Sequence, residues 1–222
     1  FIWFYLTILG SFMIRLNYHF KSYHSNTSID KNWVAITFDD GPNQEYTPRI
    51  LQLLAKFDAK ATFFCIGQQV EKNRELLKTI IAQGHTIGNH TYSHSQSFGF
   101  FGLNRVISDL KKNNDLVQNI TGLNMRLYRP AFGVTNPQIG RAVEKLEILS
   151  IGWNIRSLDT TSLSAKTVLK RITREISKGD IILLHDTSDK TVAVLEQLLL
   201  FLQQKNLQSV TVDQLLEIEA YA

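Results

Sequence analysis

From residue 34 onward the chain alternates between two kinds of segment, and that alternation limits its fold more than any other feature. Short apolar runs rich in β-branched and aromatic residues read as strands: "VAITFD", "ATFFCI", "HTIGN", "RLYR", "EILSIGWN", "DIILLHD" and "QSVTV". Between them "TPRILQLLAKF", "VEKNRELLKTIIAQG", "LNRVISDLKKNNDLVQNI", "NPQIGRAVEKL", "AKTVLKRITREISKG" and "KTVAVLEQLLLFLQQK" carry the helical period, and "VDQLLEIEA" closes the chain as a short helix. Gly84 and Gly179 stand where helix C-terminal caps belong, just before strands. Seven strands separated by helices imply an α/β fold with a parallel sheet covered by helices. A closed barrel and an open doubly wound sheet both satisfy the pattern. No glycine-rich phosphate loop follows any strand, so a nucleotide fold has no support.

The 222 residues, 44% of them hydrophobic, suffice for one domain with a substantial core. The net charge of +4 comes from scattered Lys and Arg, so no basic stripe for nucleic acid is visible and none is expected as a partner. Cys65 is the sole cysteine, which rules out an internal disulfide and a cysteine-rich metal site. The first residues, "FIWFYLTILGSFMI", form an uncharged run shorter than the ~20 residues of a spanning helix. Its aromatic content and lack of a polar face favour the end of a membrane anchor or signal segment over a helix packed on the domain. Residues 15–31 read as a polar connector, which puts the main domain at 32–222 and the expected location at the cell envelope, membrane-anchored or exported.

The unusual polar residues fall at the carboxyl ends of the predicted strands. Asp39 and Asp40 end the first, His90 follows the third with His94 four residues on, and Arg129 ends the fourth. Asp159 follows the fifth, and His185 with Asp186 ends the sixth. In a parallel barrel that is the face where active sites sit. Alone, each residue has a plain structural reading: a turn for Asp-Gly-Pro, a hydrogen-bonded core residue for a histidine. Together on one rim, two histidines and a carboxylate make a ligand set for a divalent cation, with HxxxH placing both imidazoles on one face if helical. Two adjacent carboxylates are useful if one binds the metal and the other stays free as a base. His185 is then the candidate acid for a leaving group, with Arg129 orienting the base and Asp159 orienting the imidazole and raising its pKa.

"TFDDGP", "HTYSH", "RPAFG", "WNIRSLD" and "ILLHD" occur in the order of the five motifs of the polysaccharide deacetylase superfamily, also called carbohydrate esterase family four or the NodB-homology domain. "KATFFCIG" and "GHTIGNHTYSH" resemble the family as well, and the likeness covers roughly residues 33–216. The resemblance implies a distorted (β/α)7 barrel of parallel strands, with the active site at their C-terminal ends, that hydrolyses N-acetyl groups on amino sugars. It implies Asp40, His90 and His94 as ligands of a divalent metal ion, commonly zinc, Asp39 as general base and His185 as general acid. The backbone N–H of Phe132 would help stabilise the oxyanion, and Leu183 would line the pocket for the acetyl methyl. Trp153, in the fourth motif, belongs to the same expected substrate wall.

Three departures bear on substrate rather than on chemistry. Ala131 stands where the third motif usually has Pro, Thr160 where many members place Trp, and Arg156 where an acidic residue is frequent. The expected substrate is therefore an amino-sugar-containing glycan: peptidoglycan, a chitin-like polymer or a lipid-linked saccharide. The alternatives are a formyl or non-sugar amide on the same fold and metal, and a silent carbohydrate-binding protein. "SQSFGFFGLNR", after His94, reads either as a core-packed helix entry or as an aromatic rim. Cys65 is expected to be buried and inert, and His85 lacks an obvious partner.

Overall fold

The structure, a computed structural model, describes residues 2–222. In chain order the strands are β1 (Trp33–Asp39), β2 (Ala61–Cys65), β3 (Thr86–Asn89), β4 (Leu127–Tyr128), β5 (Leu149–Ser150), β6 (Ile155–Arg156), β7 (Ile181–His185) and β8 (Gln208–Ser209). The helices are α1 (Ile2–Phe12), α2 (Tyr46–Lys56), α3 (Gly67–Lys72), α4 (Arg74–Ala82), α5 (Leu103–Thr121), α6 (Pro137–Lys145), α7 (Ala165–Thr173), α8 (Asp189–Gln204) and α9 (Val212–Leu216). All named strand pairs are parallel. The sheet runs β5-β4-β3-β2-β1-β7-β6, with β8 paired to the start of β1. This bears out the α/β class and the distorted barrel of parallel strands, which takes the form of a half-barrel with β5 and β6 at its two ends. The turn of chain between them, Ile151–Asn154, fills the seam, and a Cβ on Gly152 would touch Ile14.

Side-chain alternation sorts each strand into two layers. On β1, Val34, Ile36 and Phe38 pack outward against the helices with Leu54, Leu77 and Leu198. Ala35 packs inward with Phe64, Leu127, Trp153 and Leu183. Thr37 and Asp39 continue the inward row, which carries polar groups up to the C-terminal rim. Gly84 and Gly179 adopt φ of +78° and +88°, as caps before β3 and β7 require.

Four local readings change. The run "EILSIGWN" does not stay one strand: only Leu149–Ser150 pairs with β4, and β6 is a separate strand on β7, because the chain crosses the seam in between. The helix expected from residue 70 to 84 breaks at Asn73, whose side chain donates to the carbonyls of Pro42 and Gln69. In "QSVTV" only Gln208 and Ser209 pair, and α9 starts just after Thr211, whose backbone N–H donates to Gln214 Oε1. His85 does have a partner: its Nδ1 accepts from the Ala61 N–H, and burial with the nearby Lys60 pulls its pKa down to about 4.

Cys65 is fully buried, with its thiol pushed up by desolvation. The phenylalanine stretch divides: Phe98 and Phe101 are buried with Val106 and Tyr128, whereas Phe100 is 92% exposed. The connector 15–31 lies against the barrel, with bridges from Tyr23 to Ile151 and from Ser25 to Asp180. The apolar N-terminal run begins at Phe1, which lies outside the described residues; from Ile2 it forms α1. Among the described residues no helix is long and apolar enough to cross a membrane.

Candidate active site

Asp39 closes β1 in register with His185 at the end of β7, so the parallel ladder itself places a carboxylate beside an imidazole. Asp39 is almost fully buried and would be a costly charge without a partner. Arg129, wholly buried just after β4, supplies one: its Nη1 donates to Asp39 Oδ1 at 2.8 Å and to Thr37 Oγ1 at 2.6 Å. The rest of the guanidinium is satisfied by the carbonyls of Ile151 and Gly152, at 3.2 and 2.9 Å. It lies over the Phe64 ring at 4.0 Å and 5.5 Å from that of Trp153. Burial draws the Arg129 pKa down, and Asp39 works against that shift.

Asp40 faces a different environment. It adopts a φ of +80° and sits at the open side of the rim, its Oδ1 3.5 Å from His90 Nε2 and 3.4 Å from His94 Nε2. The two imidazoles do not converge on a helix. Thr91 and His94 take φ of +65° and +44°, so a tight loop turns the second ring back to within 4.9 Å of the first. His90 Nδ1 lies 2.9 Å from the Arg129 carbonyl, which makes it an N–H donor and turns Nε2 to Asp40, as a lone pair when the ring is neutral and as a donor when it is protonated. One donor atom from each of Asp40, His90 and His94 lies within 4.8 Å of the others. Two imidazole nitrogens and a carboxylate oxygen that converge in this way, with one tautomer already selected, fit a divalent cation.

Charge in the cluster follows the same logic. Burial opposes ionisation of Asp40, but the hydrogen bond and charge of His90, with His185 and His94, outweigh it and hold its pKa at about 2. Burial also opposes protonation of His90, yet Asp39 and Asp40 shift it upward. Burial and the neighbouring His90 hold His94 below its ordinary value. The set thus favours positive charge among its donors, which protons or a metal ion can supply.

On the opposite wall His185 Nδ1 lies 2.9 Å from Asp159 Oδ1, and the His185 backbone N–H donates to Asp159 Oδ2 at 2.8 Å. Ser157 and Thr191 donate hydroxyls to the same carboxylate, each at 2.8 Å. Burial works against charge on His185, but Asp159, Asp39 and Asp40 prevail and raise its pKa to about 9. Burial likewise opposes ionisation of Asp159, and the bonds from His185 and Ser157 reverse that into a lowered pKa. Phe132 takes φ +58° in the loop 131–133, half exposed, its ring 4.5 Å from that of His94. Trp153 packs against Gly133, where a Cβ would come within 2.7 Å of the indole, and Leu183 lies on the inner face of β7 in register with Thr37.

The structure thus brings Asp39, Asp40, His90, His94, Arg129, Asp159 and His185 together at the strand ends, with Phe132 beside His94 and with Trp153 and Leu183 in the inner wall. The supporting residues were not anticipated. Thr37 anchors Arg129, and two-residue spacing from Asp39 on a predicted strand would have flagged it. Asn113, on α5, donates to the carbonyls of Cys65 and Thr91, both at 2.9 Å, and Asn89 accepts from the Thr91 N–H at 2.8 Å, bracing the His90 corner. No one-dimensional pattern marks Asn113 among the polar residues of α5. Asp186 is fully buried, bonded through Oδ2 to Thr47, with Oδ1 unpartnered and its pKa raised by burial to about 7.

Known proteins match both sequence and shape. A polysaccharide deacetylase family model matches residues 26–151. A peptidoglycan-N-acetylglucosamine deacetylase of Bacillus cereus is 33% identical over 193 residues, 82% of this chain and 87% of its own. The Bacillus subtilis peptidoglycan-N-acetylmuramic acid deacetylase PdaC is 30% identical over 194 residues, 86% of this chain but only 41% of its own length. The crystal structure of a peptidoglycan N-acetylglucosamine deacetylase in complex with a naphthyl N-hydroxybenzamide superposes with a TM-score of 0.84 at 29% identity, covering 90% of this chain and 95% of that one. This chain belongs to the polysaccharide deacetylase family.

Proposed function

We propose that the protein hydrolyses the N-acetyl amide of an amino sugar in peptidoglycan, consuming one water, releasing acetate and leaving a free amine on the glycan. The observation that carries this reading is the division of the rim into three cooperating parts: a buried carboxylate on Arg129, a converging Asp-His-His set, and an imidazole backed by a carboxylate. A divalent cation held by Asp40, His90 and His94, in this reading zinc, would supply Lewis acidity toward the acetyl carbonyl. Asp39 takes the proton from the attacking water, and the bond from Arg129 holds its carboxylate aimed. The Phe132 backbone N–H contributes to stabilising the charge that develops on the carbonyl oxygen. His185, kept protonated by Asp159, passes its proton to the departing nitrogen. Leu183 and Trp153 form the apolar wall for the acetyl methyl.

The proposed sugar is N-acetylglucosamine, because the Bacillus cereus relative and the superposed crystal structure both carry that substrate in their names. N-acetylmuramic acid, named for PdaC, is the second reading. Either substrate puts the enzyme at the cell envelope, with the N-terminal segment as its membrane contact.

The test is metal content of the purified chain paired with acetate release from N-acetylated peptidoglycan fragments and chitooligosaccharides, before and after chelation. Release that is chelator-sensitive and lost in Asp39→Asn and His90→Ala is the expected result. A bound cation with no acetate from any glycan would move the assignment to non-sugar amides. Absence of a bound cation after loading would favour a silent binding protein.

A further inference from the structure

The helix α1 has no charged residue between Ile2 and Ile14, and its Trp3, Tyr5, Leu6, Ile8 and Phe12 side chains are exposed, Trp3 by 73%. It is not loose. Its last turn is docked on the active-site loop: the Thr135 N–H donates to the Ser11 carbonyl at 2.9 Å, and the Thr135 hydroxyl to that of Gly10 at 3.1 Å. Gly10 is required there, since a Cβ would come within 2.4 Å of the Tyr18 ring. A helix whose apolar side chains face outward while its end is fixed is held in an orientation that the domain core does not use.

Next to that end lies a groove of about 550 Å³, walled on one side by Phe12 and Met13 and on the other by Arg156, Lys170, Arg171 and Arg174. Arg15 adds a fifth cation, braced by its bond to the Asn154 carbonyl at 3.3 Å, and Arg171 donates to the Arg156 carbonyl at 2.8 Å. Glu175 is the single acidic residue lining the groove, and it pairs with its neighbour Arg174. Among the described residues Arg15, Arg156, Lys170 and Arg171 have no carboxylate partner. These cations are arranged beside an uncharged aromatic helix, a combination that matches the chemistry of a lipid headgroup layer over acyl chains.

We propose that α1 and this groove form one docking surface for an anionic bilayer, with the α1 side chains at the acyl boundary and the cations at headgroup phosphates. Through Thr135 the surface is tied directly to the loop that carries Phe132, so docking holds the catalytic rim close to the membrane face of the glycan. The proposal rests on the envelope location above but not on the deacetylase chemistry.

The experiment is co-sedimentation of the full chain with phosphatidylcholine vesicles and with phosphatidylcholine–phosphatidylglycerol vesicles, at low and high salt. The expected result is strong preference for the anionic vesicles, weakened by salt. At about fivefold per cation near the surface, the double variant Lys170→Gln/Arg174→Gln lowers the partition about 25-fold. Phe12→Ser lowers it on its own. Acetate release from a soluble chitooligosaccharide by the Lys170→Gln/Arg174→Gln variant stays at the wild-type rate, which also reports its folding. Equal binding to both vesicle types, or an unchanged double variant, would overturn the proposal. Competition by soluble polyphosphate that ignores Phe12→Ser would overturn it in favour of an anionic polymer. Self-association abolished by Phe12→Ser, without vesicle binding, would make the face a contact between copies of this chain. Vesicle binding without acetate release would sink the deacetylase reading alone.

Discussion

Asp159→Asn isolates the electrostatic part of the proposed acid. In the wild type the Asp159 carboxylate accepts four hydrogen bonds, two from His185, one from Ser157 and one from Thr191. Burial lowers the His185 pKa, and the Asp159 hydrogen bond is the largest cause that raises it to about 9, followed by the charges of Asp39, Asp159 and Asp40. The asparagine can still accept from Nδ1–H through its oxygen, so ring orientation and tautomer survive. Its amide nitrogen then meets the His185 N–H, donor against donor, at a stability cost of ~1–3 kcal/mol.

Without that charge, Asp39 and Asp40 alone oppose desolvation, and the imidazole falls from about 9 toward its ordinary value of ~6.5. The departing amine needs the protonated form, so activity is present below the His185 pKa and is lost as pH rises through it. Near pH 8 a group of pKa about 9 is ~90% protonated and one of ~6.5 only ~3%, so the variant loses up to roughly 30-fold. Near pH 6 the same difference is less than about twofold. A cation at Asp40 lowers His185 in both proteins, which moves both basic limbs but preserves their separation. The assay is the pH profile of kcat for acetate release, at a temperature where both proteins are folded. A uniform loss at every pH, with the basic limb unmoved, would refute the argument and leave Asp159 as a mere scaffold.

Other outcomes follow from the same geometry. Arg129→Met strips Asp39 of its buried partner, which costs ~3–5 kcal/mol and, at ~2–4 °C per kcal/mol, lowers Tm by roughly 10 °C. Adding Asp39→Asn restores part of that, and a single variant that melts like the wild type would deny the pair its weight. A divalent cation at ~100 times its Kd adds about 2.7 kcal/mol, or roughly 5–10 °C in Tm. That shift disappears in His90→Ala and in His94→Ala, and its survival in both would put the ion elsewhere. Gly133→Ala forces a Cβ to 2.7 Å from Trp153 at a φ of +69°, displacing the Phe132 loop. A shift approaching 1 Å there lowers kcat by up to ~100-fold, whereas a rate within about twofold of wild type would show that the loop does not position the reaction.

The residues legible in the sequence were those whose type is scarce at a strand end. Adjacent carboxylates, paired histidines and a buried arginine are expensive there without a purpose, and their joint placement followed from the alternation of strands and helices alone. What stayed hidden depends on three-dimensional closure. The seam that splits "EILSIGWN" exists because β5 and β6 never pair, and pairing partners are not written in a single run of residues. Asn113 reaches the Thr91 carbonyl across 22 positions, and Thr191 reaches Asp159 across 32, from helices whose patterns show only amphipathicity. Even the HxxxH spacing pointed to a helix, whereas a loop with two left-handed residues brings the rings together.

The same contrast accounts for the pair of aspartates. Strand alternation puts Ala35, Thr37 and Asp39 on the inner face and Val34, Ile36 and Phe38 on the outer one. By that rule Asp40 belongs outside, against the helices, where its charge would have no partner. The φ of +80° breaks the alternation at that one residue and brings its carboxylate round to the imidazoles. Asp tolerates that backbone region better than most side chains, so the residue that ligates is also one that can make the turn. Gly41 then lets the chain pass Asp186, whose carboxylate oxygens leave no room for a Cβ. Two adjacent carboxylates thus occupy two environments. Asp39 is sealed inside against Arg129, Asp40 is open to the histidines, and the like charges are separated by the direction each side chain is made to take.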